Sequence, residues 1–325
     1  MKGMYRIGLL FAGLYCTCAP SPKRDADAVD DPPKIVFITG DEEYRSEESM
    51  PMLAAILERE LGAETTVGYS LDSAGYIDPN NVYAISRLDE LADADLMVLF
   101  TRFRQLPPEM AEKITDYAES GRPLVGFRTA THAFRYVEPG DSALMHLNDD
   151  WPTRVFGQQW ITHHGHFADG HGRLTDVTLA EGKAGHPILR GVRPFEAYSW
   201  LYHVDGGDWQ LAGDSDPLLM GHSLRSQHEA DGKLDEFPLD NPVAWTKTYA
   251  GERGKPARVF FTTLGHPFDF REESMRKLAL NGIYWALGRE EMIPAAGVTA
   301  DFADPYEPNN SGFGKEFKAG VRPGE

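Results

Sequence analysis

The regular alternation of short apolar runs with amphipathic stretches restricts this chain more than any other feature. Lys34-Ile-Val-Phe-Ile-Thr39 is apolar at nearly every position, and so are Leu96-Met-Val-Leu-Phe100 and Pro123-Leu-Val-Gly-Phe127. A run that does not alternate with polar residues suits a strand covered on both faces. Between the first two runs, Leu53, Ile56, Leu57 and Leu61 form one helical stripe; Ser49 is placed to cap it, Pro51 sits in its first turn and Gly62 ends it. A second helix starts near Pro108 and closes at Gly121. Strand, helix, strand at this spacing predicts a parallel sheet with right-handed crossovers. Regularity returns late, with a strand at residues 257–263 and a helix at 272–287 followed by Gly288. The stretch between, rich in Gly, His and Trp, reads as an irregular insertion in which residues 173–179 suggest an edge strand.

Composition excludes some partners. The 50 acidic residues outnumber the 32 Lys and Arg for a formal charge of −18, which repels phosphate backbones and anionic lipid. Nucleic acid is therefore not an expected partner, whereas an uncharged solute such as a sugar is compatible. The only cysteines, Cys16 and Cys18, lie near the N-terminus, where Lys2 and Arg6 precede a short apolar run at residues 7–15. That run is well below the roughly 20 residues of a bilayer span, so residues 1–20 read as a signal peptide and the protein as exported. Plain secretion and lipid attachment at Cys18 both remain open, and a lipid would be the only membrane contact. The body of the chain then has no disulfide and no cysteine nucleophile or ligand. Residues 21–33 read as a linker, 34–290 as one domain, and 291–325 as a loosely attached extension. Nothing in the sequence sets the oligomeric state.

In an open parallel sheet, ligands bind beyond the carboxyl ends of the strands. This selects the loops at residues 41–45, 101–104, 128–132 and 266–269. They carry Asp41, Glu43, Tyr44 and Arg45, then Arg102, then Arg128, Thr129 and His132, then His266 and Asp269. Asp41, Glu43 and Arg45 have an alternative role in capping the first helix, and Arg128 one in a structural ion pair.

Five blocks make the pattern specific: Gly121-Arg-Pro-Leu-Val-Gly-Phe-Arg-Thr-Ala-Thr-His132, Gly185-His-Pro-Ile-Leu-Arg-Gly191, Pro242-Val-Ala-Trp245, Phe261-Thr-Thr-Leu-Gly-His266 and Asn281-Gly-Ile-Tyr-Trp-Ala-Leu-Gly288. Together, and in this order, they resemble the signature blocks of the ThuA-like (trehalose utilisation) domain family. The resemblance implies a doubly wound, mostly parallel α/β sheet of the flavodoxin-like, class I glutamine amidotransferase-like type. That superfamily uses a cysteine on a strand-to-helix elbow, a histidine after a late strand and a glutamate two residues further on. Here Arg128 stands at the elbow, His266 keeps the histidine position, and Phe268 replaces the glutamate, with Asp269 next. A guanidinium stays protonated and cannot attack a carbonyl, so glutaminase chemistry is excluded.

The resemblance also implies a carbohydrate context, and the residue set fits one: Arg and Asp can bond adjacent hydroxyls, and a histidine can move a proton near neutral pH. The expectation is catalysis by His266, with Arg128 and His132 orienting a small carbohydrate. The other expected substrate contacts are Asp41, Glu43, Tyr44, Arg45, Arg102, Thr129, His163, His164, His203 and Asp269, with no metal or cofactor. Two alternatives stay open. One is a non-catalytic sugar-binding or scaffold module. The other is a metal-dependent hydrolase built on Trp160-Ile-Thr-His163-His164-Gly-His166, with His171 nearby, although adjacent histidines on an extended segment point to opposite faces.

Overall fold

The computed structural model describes Met1 and residues 31–137, 139–165 and 172–324. The expected signal peptide, both cysteines, most of the linker, His166 and His171 fall outside the described residues. Pro32–Glu325 forms one compact unit.

Among the described residues, nine strands make a single sheet: β1 (Lys34–Gly40), β2 (Glu64–Gly68), β3 (Leu96–Thr101), β4 (Leu124–Phe127), β5 (Thr175–Leu179), β6 (Phe195–Ala197), β7 (Asp216–Ser223), β8 (Asp240–Tyr249) and β9 (Ala257–Thr262). The spatial order is β2-β1-β3-β4-β9-β8-β7-β5-β6. From β2 to β9 every neighbour is parallel, and from β9 outward every neighbour is antiparallel. The α/β class and the doubly wound parallel half are therefore as the sequence predicts. The insertion is more regular than expected, because β5 to β8 extend the same sheet. Residues 175–179 lie one strand in from the edge, which is the three-residue β6.

The period-two geometry of strands sorts side chains onto the two faces. Ile35, Phe37, Val98 and Phe100 pack under helices α1 (Ser46–Leu61) and α5 (Glu273–Ala286), through Leu53, Ile56, Met275, Leu278 and Ile283. Val36, Ile38, Met97 and Leu99 pack on the other face under α2 (Pro108–Glu119) and α3 (Asp150–Phe156), through Ile114, Tyr117, Val155 and Phe156. Both faces are dry, which is why these strands read as unbroken apolar runs. A four-residue helix, α4 (Gln227–Ala230), lies in the insertion.

α1 begins three residues before the expected cap. Arg45 takes a left-handed backbone (φ 54°), and the Ser46 hydroxyl accepts the Gly40 N–H at 3.1 Å, so helical geometry starts at once. Gly62 ends the helix as predicted, with φ 66° and its N–H on the Leu57 carbonyl.

The C-terminal extension is not loosely attached. Val298 and Ala300 are buried, the Val298 N–H reaches Asn281 Oδ1 at 3.1 Å, and Arg276 Nε donates to the Ala300 carbonyl at 2.6 Å. Further on, the Ile77 N–H bonds the Val321 carbonyl at 2.9 Å. Among the described residues, no helix is long and apolar enough to cross a membrane.

Candidate functional site

The turn after β4 brings the site together. β4 ends in Gly126-Phe127, and a side chain at Gly126 would meet the Phe156 and Phe261 rings at 2.6 Å, so only glycine lets the strand lie this deep. Arg128 then adopts φ 39° and opens a short helical turn, Arg128–His132. A left-handed backbone at a non-glycine residue costs on the order of 1–2 kcal/mol. The side chain offsets that cost. Its Nη1 donates to the carbonyls of Thr263 (2.8 Å) and Trp200 (3.2 Å), and Nη2 donates to the Tyr44 hydroxyl (3.0 Å). The guanidinium also lies 4.1 Å from the Tyr44 ring centroid and 4.5 Å from that of Tyr202. Burial pulls its pKa down, but the Tyr202 and Tyr44 hydroxyls and the Glu43 carboxyl outweigh burial, so the cation is held more firmly than usual. No carboxylate touches it directly among its hydrogen-bond partners, so the buried ion-pair alternative is replaced by a cation held by dipoles and aromatic faces.

The loop after β1 meets this cation. Asp41 Oδ1 accepts the N–H groups of Glu43 (2.7 Å) and Tyr44 (2.9 Å), and Oδ2 accepts the Thr129 hydroxyl at 2.5 Å. Asp41 and Thr129 therefore fasten the two loops to each other. Glu43 projects beyond them, with Oε2 3.2 Å from Arg102 Nε. Burial pushes its carboxyl pKa up to about 7, against the pull of Arg102. Arg102 also pairs with Glu42, which holds the fully buried Arg104 at 2.6 Å. His132 closes one wall, its ring 4.9 Å from both Phe103 and Trp160 and 6.1 Å from Tyr202. Burial, then Arg102 and Arg128, keep it neutral, well below the usual histidine range. His163 stacks on Trp200 at 5.9 Å and is pushed down to about 3, chiefly by burial.

His266 lies at the opposite end, 6.4 Å from the Tyr44 ring and stacked on Tyr198 at 5.4 Å. Its Nδ1 accepts the Phe268 N–H at 3.1 Å, which assigns the proton to Nε2, 2.9 Å from the Ser311 hydroxyl. Asp269 is not a substrate contact in this arrangement. Its carboxylate accepts the N–H groups of Tyr198, Ser199, Gly265 and His266 together with the Ser199 hydroxyl, so it braces the turn that carries His266.

Three expected residues lie apart from the group. His164 and His203 point to the other side of their extended segments from His163 and Tyr202, as strand geometry requires. His164 bonds the Ser226 hydroxyl at 2.9 Å and stands edge-on to His228, while His203 packs between Trp209 and Phe237. Among the described residues, no three His, Cys, Asp or Glu side chains are placed to hold one metal ion. Arg45 turns under the C-terminal segment, where Nη2 donates to the carbonyls of Glu42 and Gly312 and Nη1 lies 3.7 Å from Glu47.

The group is closed in this conformation: Arg128 exposes 0%, His266 1%, His132 5% and Glu43 6% of its surface. Three hollows, of about 340, 350 and 370 Å³, are lined by other residues. The cover is residues 309–313 of the extension. Asn309 N–H bonds Glu48, Ser311 meets His266, the Gly312 N–H bonds the Glu43 carbonyl at 2.9 Å, and the Phe313 ring lies 5.1 Å from the Arg102 guanidinium. Glu42, Arg104, Tyr202, Trp160 and Ser311 are members that were not among the expected site residues. Glu42 and Arg104 lay within the selected loops, but no spacing rule could have found Ser311.

Burial also gives folding a pH dependence. Glu43 rises to about 7 and Glu47 to about 8, each chiefly by burial. Both bind a proton more tightly folded than unfolded, so their support for folding is complete below the ordinary value of 4.5 and is lost as pH rises through 7 to 8. At about 1.4 kcal/mol per unit, Glu43 alone accounts for roughly 3 kcal/mol. Melting temperature should fall between pH 5 and pH 8.5, and Glu47→Gln should flatten the slope. An unchanged slope in that variant would remove Glu47 as a contributor.

No curated protein matches the chain. A solved ThuA-like protein from Parabacteroides merdae ATCC 43184 is 18% identical, with 88% of this chain and 99% of that one covered and a TM-score of 0.49. One from Bacteroides uniformis ATCC 8492 is 14% identical, with 81% and 95% covered and a TM-score of 0.49. The family model described as ThuA, trehalose utilisation, matches residues 34–286. With a match over most of its length, the chain belongs to the ThuA family.

Proposed function

We propose that this chain binds an uncharged saccharide at the carboxyl edge of its parallel strands and exchanges a proton with it through Glu43. The observation that carries this reading is the Glu43 carboxyl, raised to about 7 by burial and 3.2 Å from Arg102. A group poised near neutral pH can both give and take a proton. Arg102 and Arg128 supply fixed donors for hydroxyl oxygens, and Tyr44, Tyr202, Trp160 and Phe103 supply apolar faces for a ring. The family's link to trehalose utilisation fits such a ligand. His266, whose Nδ1 is already occupied as an acceptor, takes a binding role in place of the acid/base role that the sequence suggested. Entry requires residues 309–313 to lift. Export belongs to the same reading and is supported by the basic-then-apolar pattern of residues 2–15.

The test is a panel of glucosides that includes trehalose, with binding followed by calorimetry and turnover by product analysis. Glu43→Gln should leave affinity nearly unchanged and lower turnover about 100-fold or more. Unchanged turnover would remove Glu43 from the chemistry. Saccharide binding without turnover in the wild type would favour the non-catalytic module.

A further inference from the structure

Three local costs coincide on the far side of the segment that carries Trp200 and Tyr202. The first is an unmet polar group. His203 exposes 1% of its surface, and neither ring nitrogen has a hydrogen-bond partner among the described residues. Leaving such a group unsatisfied costs its full desolvation, with no bond to offset it. The second is backbone strain, since Asp208 and Trp209 both adopt left-handed geometry (φ 50° and 56°). The third is a large exposed aromatic: 54% of Trp209 faces solvent, with its ring edge-on to His203 at 5.0 Å.

All three meet at one hollow of about 370 Å³, bordered by His203, Trp209, Gln210, Asp240 and Asn241 together with Pro217, Pro238 and Pro242. Its size lies toward the low end of small-molecule pockets, about 300–1,000 Å³. The loop that carries Trp209 is closed on itself: the Gly206 N–H bonds the Gln210 carbonyl at 2.6 Å, and the Ala212 N–H bonds the Gly157 carbonyl at 2.7 Å. The strained turn thus presents Trp209 from a fixed base. Nothing in the packing of the core requires that ring to stand in water.

We infer that this hollow is a second ligand site, for one uncharged pyranose-sized ring that stacks on Trp209 and bonds a hydroxyl to the His203 imidazole. A neutral imidazole offers one donor and one acceptor, which matches a hydroxyl. The ring face of a pyranose supplies C–H groups to an indole, and Asp240 with Gln210 at the rim supplies partners for further hydroxyls. Asp240 at the rim, Asp205 near His203 and the −18 of the whole chain disfavour an anion. Trp209 must swing to uncover the imidazole nitrogens, so ligand arrival is coupled to the environment of that indole. The site shares no side chain with the Glu43 group and does not rest on its assignment.

The test uses the full chain titrated with glucose and with trehalose. Subtracting the fluorescence of Trp209→Phe from that of the wild type isolates this indole, and the difference should saturate with sugar. Trp209→Ala removes a half-exposed ring, so the fold should persist, while affinity at this site should drop about tenfold or more. Arg102→Met removes a donor from the Glu43 group and should leave the Trp209 signal unchanged. No Trp209-dependent response to either sugar, or a stronger response to adenosine, overturns the assignment. Loss of the response in Arg102→Met overturns its independence. A response that survives Arg102→Met, with the wild type binding saccharide at no other site, supports this site and sinks the reading of the Glu43 group.

Discussion

Arg128→Met should unfold at markedly lower denaturant than the wild type, with a loss of about 3–5 kcal/mol, and should no longer bind saccharide. The guanidinium serves three acceptors from three separate segments, the Thr263 and Trp200 carbonyls and the Tyr44 hydroxyl. Methionine fills much of the volume but leaves these acceptors buried and unpaired, which is the costly half of losing a hydrogen bond. Arg128→Lys should rescue little, because an ammonium lacks the planar fork that reaches all three. The variant should also raise the Glu43 pKa further, since Arg128 now pulls it down. Equilibrium unfolding and calorimetry read both effects. Lost stability with saccharide affinity intact would make Arg128 a purely structural cation, and wild-type behaviour in both would remove it from the centre of the site.

Ending the chain after residue 308 should open the site. The shortened protein keeps Val298, Ala300 and Tyr306, which pack the extension to the body. It loses the Ser311 contact to His266, both Gly312 bonds, Phe313 over Arg102, the Lys318–Glu48 pair and the Val321 bond to Ile77. At about 1 kcal/mol for each well-made bond, the expected loss is roughly 2–4 kcal/mol. The larger effect is on access: His266, now 1% exposed, should react with an imidazole-modifying reagent at least about tenfold faster, following the equilibrium between closed and open forms. Equal rates in the full and shortened chains would mean that residues 309–313 do not control entry.

The parallel half of the fold was legible because its physics is local. Strands covered on both faces must be apolar throughout, so β1, β3, β4 and β9 stand out as runs, and Gly62 and Gly288 mark helix ends. β2, at the outer edge with a half-buried pattern, gave no such run. β7 and β8 contain Pro217 and Pro242, and the register between them shifts near Leu219, so neither alternates cleanly. The rule that ligands gather at strand carboxyl ends selected the loops of Glu43, Arg102, Arg128 and His132, and the structure places these side chains near one another. It could not tell which carboxylate is spent on loop geometry. Asp41 and Asp269 are held by N–H groups, and only Glu43 extends past them. Ser311 and Phe313 were out of reach because their place depends on how a distant segment returns.

That return has a consequence for the order in which the molecule is made. β4 lies beside β9, more than 130 residues later, and Arg128 needs the Thr263 carbonyl to be satisfied. The cover of the site comes later still, from residues 309–313. A nascent chain leaving the ribosome can pair β1, β3 and β4 early, but β4 must wait with one open edge and an unmet buried cation until most of the polypeptide has emerged. Pairings of such wide separation are slow and leave aggregation-prone edges uncovered. During synthesis, the half-built sheet is therefore the stage at which a chaperone has most to protect, and the Arg128 group can form only after β9 and Thr263 have been translated.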